Sequence, residues 1–111
     1  MWFAPAARAI AAGAAFNLRD ARVAAHVRET VPADPDAAVL VGFGGAVLGP
    51  VTQYTGLAAW TLGHIPTARR DVSAAVALSD RAGWRPWAAA ARACLRALDD
   101  PEAPLPLGLR R

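Results

Sequence analysis

The chain has 111 residues, nine acids, twelve arginines and no lysine, and a formal net charge of +3 at pH 7. A hydrophobic content of 55% excludes a disordered chain, and the length suffices for one modest core. The missing lysine excludes a Walker-type phosphate loop, a Schiff-base lysine and a lysine general base. The single cysteine, Cys94, excludes an internal disulfide or a cysteine-based zinc site and fits a reducing, cytoplasmic setting.

In chain order, Met1 to Leu18 predicts a first helix rich in alanine, with Gly13 as a candidate break. Met1 to Phe16 lacks the compact basic start and unbroken apolar run of a secretory leader. Asp20 is placed to cap a second helix, Ala21 to Val31, whose apolar positions Val23, Ala24, Val27 and Val31 follow the helical period. Pro32 stops it, and two prolines and two aspartates between Pro32 and Asp36 make a turn. Ala38 to Gly45 is ambiguous. Val39-Leu40-Val41 reads as a short buried strand or as a helix start. Helix is preferred, because no other segment offers a strand partner and an isolated strand leaves its backbone unpaired.

The next predicted helix covers Ala46 to Leu62, with Pro50 in its first turn or at a kink, and Gly63 ends it. Pro66 lies in the first turn of a helix running to Ala82, with Gly83 as its left-handed stop. Pro86 opens a last helix, Trp87 to Leu98, closed by Asp99-Asp100-Pro101. Residues 1–100 are thus expected to form one helical domain, and 101–111 a loose tail rich in proline and arginine. Trp2, Trp84 and Trp87 are packing anchors, Trp87 foremost.

Small residues recur at telling positions. Gly56 in one helix, Gly63 in the turn, and Ala68 and Ala75 in the next helix let two helices cross closely, with Val72 and Leu78 filling the space beside them. A following unit starts near Arg85, with Trp87 as the large anchor and Ala91 as its small partner. Together with Gly49-Pro50-Val51, Gly56-Leu57-Ala58 and Ala82-Gly83-Trp84-Arg85-Pro86-Trp87, this pattern resembles the tetratricopeptide-like C-terminal region of large bacterial ATP-binding, LuxR-type transcriptional regulators and cyclase-associated ATPases. The chain departs from that pattern at Thr55, where leucine is usual, and at Trp84, where alanine is usual. The resemblance runs from about Ala15 to Leu98. It implies an all-α fold of antiparallel helical hairpins, a short α-solenoid, in a protein of signalling or transcription regulation. It implies no activity, since the ATPase and DNA-binding parts of those regulators have no counterpart in the matched segment.

Other constellations are weak. Gly42 to Gly45 lacks the small residue at position 47 that a dinucleotide turn needs, and Gly44 to Gly49 leads into Pro50-Val51 instead of Lys-Ser. His26 and His64 share no ligand spacing with each other or with Cys94. Cys94 on an alanine-rich helix behaves as a small hydrophobe, and Ser73 and Ser79 show no nucleophile elbow. No cofactor, metal or catalysis is expected. Nucleic-acid binding is disfavoured because the arginines are scattered and no recognition helix is visible.

The arginines carry the binding expectation. Arg85, Arg92 and Arg96, seven and four residues apart, share one helix face. In the tetratricopeptide register that face joins Gln53, Leu57, Trp60 and Thr61 of the preceding unit in one groove. Such a groove suits an acidic peptide or a C-terminal carboxylate. Too few units are present to close a solenoid, so apolar ends predict a homodimer or a larger protein partner. The expected function is a noncatalytic protein-interaction module. The alternative is a small membrane-associated protein using segment 37–63, which carries no formal charge and has the length to span a bilayer, though glycines, Pro50 and polar residues interrupt it.

Overall fold

The computed structural model describes residues 4–41, 46–106 and 108–110. The elements run α1 (Ala4–Leu18), α2 (Ala21–Thr30), β1 (Ala38–Val41), β2 (Ala46–Pro50), α3 (Val51–Thr61), α4 (Ile65–Ala82) and α5 (Arg85–Asp99). Helices dominate, as the sequence predicts.

The helix ends follow local chemistry. Asp20 accepts hydrogen bonds from the Arg22 and Val23 amides at 3.1 and 3.2 Å, which satisfies two donors at the start of α2. Gly83 adopts φ +74°, and the Trp84 amide reaches back to the Ser79 carbonyl at 2.9 Å. This left-handed stop reverses the chain between α4 and α5. Gly13 does not break α1, and Trp2 and Gly42 to Gly45 lie outside the described residues.

The region from Ala38 to Pro50 corrects the helical expectation. It forms an antiparallel pair in which Leu40 faces Val47, Val41 faces Ala46 and Ala38 faces Pro50, with an irregularity between Ala38 and Leu40. The partner that β1 appeared to lack is the segment expected to begin the next helix. Two short apolar runs joined by a glycine-rich link can satisfy each other's backbone, which neither achieves alone. Helix α3 therefore starts at Val51, after Pro50, and the Val51 amide donates to the Ala37 carbonyl at 2.9 Å. Gly49 has φ +98°, and a Cβ there would stand 2.9 Å from the Trp87 ring, so the strand's end and α5 meet only because this residue is glycine.

Helix α3 is the centre of the molecule. Val51, Thr52, Gln53, Thr55, Gly56, Leu57, Ala58 and Ala59 are all buried, and α1, α2 and α4 pack around it. The closest approach is to α4: a Cβ on Gly56 would stand 2.7 Å from Val72 Cγ2. Ala68, Val72 and Ala75 are fully buried along that contact. The main core joins Phe16, Leu57, Val72, Ala75, Ala91 and Cys94, with Tyr54, Trp60, Leu95 and Leu98 around them. A second cluster of Ala12, Ala15, Ala24, Val27 and Ala58 holds α1 and α2 to α3.

One buried charge joins three helices. Asp71 on α4 is 3% exposed. It accepts from Arg28 of α2 at 2.8 Å and from the Thr55 hydroxyl of α3 at 2.9 Å. Arg70 approaches its other oxygen at 3.3 Å. A buried carboxylate needs such partners to offset its lost hydration.

The tail is anchored: Leu105 and Leu109 pack on the main core, and Asn17 exchanges hydrogen bonds with Gly108 and Arg110, both at 2.9 Å. Among the described residues no helix is long and apolar enough to cross a membrane. Within the uncharged segment 37–63, the described residues form the strand pair and the buried helix α3.

Candidate interaction site

Helix α5 sorts its residues cleanly. Ala88, Ala91, Cys94 and Ala97 are buried, whereas Arg85, Ala89, Arg92 and Arg96 are exposed on the opposite side. The Gly83 turn lays this exposed side beside the C-terminal end of α4. Between them lies a depression of about 630 Å³, lined by Arg85, Arg92 and Arg96 of α5 and by Ser79, Asp80 and Gly83 of α4, with Ala88 and Ala89 as its apolar floor.

Three guanidinium groups thus face one carboxylate. Arg92 donates to Asp80, and both side chains are nearly half exposed. Such a pair holds the side chains only weakly, worth about 0–1 kcal/mol. Among the described residues Arg85 and Arg96 have no ion-pair partner. The Ser79 hydroxyl is buried without a hydrogen-bond partner. The depression combines unspent donor capacity with excess positive charge, which suits planar anions such as carboxylates.

The seven residues expected to share a groove fall into two groups. Arg85, Arg92 and Arg96 come together as described. Gln53 and Leu57 are buried: the Gln53 amide donates to Cys94 Sγ at 3.2 Å, and Leu57 belongs to the main core. Trp60 is half-buried against Phe16, with ring centroids 4.7 Å apart, and the Thr61 hydroxyl donates to the Leu57 carbonyl at 2.9 Å. These four do not line the arginine depression. The reason is that α1 and α2 pack over α3 and cover the face that an open array of hairpins would leave free.

Asp80 and Ser79 enter the site without a sequence signal of their own. The hairpin stop at Gly83 was such a signal in part, since it brings the last turn of α4 beside the first turns of α5. The network of Arg28, Thr55 and Asp71 had none, because its members are far apart in sequence.

The remaining chemistry-bearing residues are placed as follows. His26 is exposed beside Asp20 and Arg22 in a shallow depression, and His64 is an exposed residue before α4 whose side chain makes no capping bond. No group of three metal-ligating side chains occurs among the described residues. Burial pushes the Cys94 thiol up to about 11, although the hydrogen bond from Gln53 opposes this. A thiol so placed is not a nucleophile at neutral pH. Burial likewise pushes Tyr54 up to about 12, and its hydroxyl donates to the Leu48 carbonyl.

No protein-family model matches the chain, and no curated protein or solved structure shows a significant match to it.

Proposed function

We propose that this chain is a noncatalytic protein-interaction module whose α4–α5 depression receives an acidic segment or a C-terminal carboxylate of a partner protein. The observation that carries the reading is the convergence of Arg85, Arg92 and Arg96 on one depression with Asp80 as the one acid. A guanidinium fork donates two parallel hydrogen bonds to a carboxylate, so each arginine adds both charge and orientation.

In this reading α3, α4 and α5 are a short array of the tetratricopeptide type, related to the helical region of bacterial signalling and transcription regulators. Support comes from the tiny residues at the α3–α4 crossing, Gly56, Ala68 and Ala75, and from the left-handed glycines that end α3 and α4. The setting is cytoplasmic, in keeping with one buried, unpaired cysteine.

The test is fluorescence anisotropy with a labelled glutamate-rich peptide and a lysine-rich control, repeated at rising salt. The acidic peptide is expected to bind, to weaken with salt, and to lose about tenfold in affinity for each arginine removed, since a hydrogen bond to a charged group contributes roughly 1.5–3 kcal/mol. Equal binding to the Arg85→Glu/Arg96→Glu variant refutes the site.

A further inference from the structure

Charge is matched unevenly across the arginine depression. Arg92 is already paired with Asp80, whereas Arg85 and Arg96 have no ion-pair partner among the described residues. These two unmatched arginines stand eleven residues apart on α5. Eleven residues make three helical turns and about 20° more, so both leave the same side of the helix, roughly 16 Å apart along its axis. Asp80 of α4 meets α5 at Arg92, between them in sequence, and lines the same depression. The depression thus holds two open cationic positions with a neutralised one between them.

We propose, building on the acidic-segment reading above, that Asp80 is a specificity-determining residue of this site. It admits segments whose carboxylates are spaced to reach Arg85 and Arg96 together, and it turns away segments whose acids stand side by side. A carboxylate arriving at Arg92 gains little. It bonds the guanidinium only by displacing Asp80, which exchanges one carboxylate for another and leaves two like charges together. A repulsive element set against the wrong ligand is a common source of specificity. A carboxylate arriving at Arg85 or Arg96 displaces nothing and forms a new charge-assisted pair.

The reach of a chain then sets the preferred spacing. An extended segment rises about 3.3 Å per residue, so two acids five residues apart span roughly 16 Å and meet both open arginines. The second contact is made within the same molecule and adds affinity without a new encounter. Adjacent acids reach only one open arginine. Arg92 and Arg96, one helical turn apart, are the pair that suits closely spaced acids, and Asp80 withdraws the first of them. Arg92 in turn neutralises Asp80, and without it that carboxylate repels every acidic segment.

NMR titration of the isotope-labelled full chain at low salt tests this with two end-capped peptides of identical composition. One carries two glutamates five residues apart, the other two adjacent glutamates, and neither has another charge. The wild type is expected to bind the spaced peptide roughly tenfold more tightly, since only that peptide makes two charge-assisted contacts. Arg85→Gln or Arg96→Gln is expected to lower the spaced peptide to the level of the adjacent one. Asp80 is exposed, so the fold tolerates its replacement. Asp80→Asn is expected to raise the affinity of the adjacent peptide roughly tenfold and bring the two peptides level. Asp80→Glu keeps the charge and is expected to keep the wild-type order. A merely structural role for Asp80 would shift both peptides alike. Equal affinity for the two peptides in the wild type, or an Asp80→Asn variant that keeps the wild-type order, overturns the proposal. If a glutamate-rich peptide still binds the wild type and not Arg85→Glu/Arg96→Glu, that failure removes the role of Asp80 alone and leaves the acidic-segment site standing. If no acidic peptide binds, both fall.

Discussion

Helices α1 and α5 have the same length, fifteen residues, and both are rich in alanine. They differ in how clearly they declare which side faces inward. In α5 the arginines at 85, 92 and 96 mark one side as outer, and the alanines opposite are buried by elimination. In α1 alanine stands on both sides: Ala9, Ala12 and Ala15 are buried, while Ala7 and Ala14 are exposed. Alanine carries so little apolar surface that water and core accept it almost equally. The orientation of α1 rests on Phe16, which is fully buried against Trp60 and has Arg19 4.6 Å above its ring. Charge orients one helix, and one aromatic anchor orients the other.

The contrast is broken most directly at that anchor. Phe16→Ala is expected to cost about 3–5 kcal/mol in urea unfolding. Cys94→Ala, the comparable core position in α5, removes one sulfur and leaves the buried Gln53 amide without its acceptor, and is expected to cost less, about 1–3 kcal/mol. Equal losses would show that Phe16 does not carry the docking of α1. Asp71→Ala, which strands the Arg28 charge among α2, α3 and α4, is expected to cost about 3 kcal/mol and to loosen both sides of the molecule. A variant as stable as the wild type would mean that the network is neutral in net effect.

Alkaline titration addresses the core between the two helices. Tyr54 and Cys94 both ionise at higher pH when folded, near 12 and 11, than when unfolded, near 10 and 9. Above the unfolded values the unfolded chain has released protons that the folded chain still holds. Stability is therefore complete below about pH 9 and falls as pH rises towards 12. Chemical denaturation at several pH values checks the slope, which Tyr54→Phe is expected to reduce.

Smaller effects sharpen the comparison. Gly13→Ala is expected to stabilise the monomer by about 0.4–1 kcal/mol, since the new methyl group meets nothing and the unfolded chain loses freedom. Urea unfolding checks the gain, and a loss of stability would show that the helix does not accept a side chain at position 13. Arg92→Ala removes only an exposed pair with Asp80 and is expected to change stability by less than about 1 kcal/mol. Its consequence should appear in peptide binding instead.

Much of the helical frame was legible because helix ends are local. Asp20, Pro32, Gly63, Gly83 and Pro86 act through hydrogen bonds and backbone angles within a few residues, and they place α2, α4 and α5 within a residue or two. The hairpin was not legible. Val39-Leu40-Val41 has no period that separates strand from buried helix, and its partner was itself assigned to a helix. Helix α3 hides its orientation for a related reason: it is buried on nearly every side, so its sequence shows no contrast of faces.

The candidate site divides the same way. The arginine spacing on α5 could be read directly, since three charges at seven and four residues must share a side of any helix. The inward turn of Gln53 and Leu57, and the packing of Trp60 on Phe16, could not, because they depend on α1 and α2 packing over α3.

The amino-acid sequence by itself determined where helices start and stop and which side of α5 meets water, because caps, left-handed glycines and charged side chains act at short range. Only the tertiary structure decided the pairing of the two strands, the central position of α3, the carboxylate shared by Arg28 and Thr55, and the bare outer face of α1. Those features rest on contacts between distant segments of nearly interchangeable small apolar residues, and only the fitting of whole helices against one another distinguishes them.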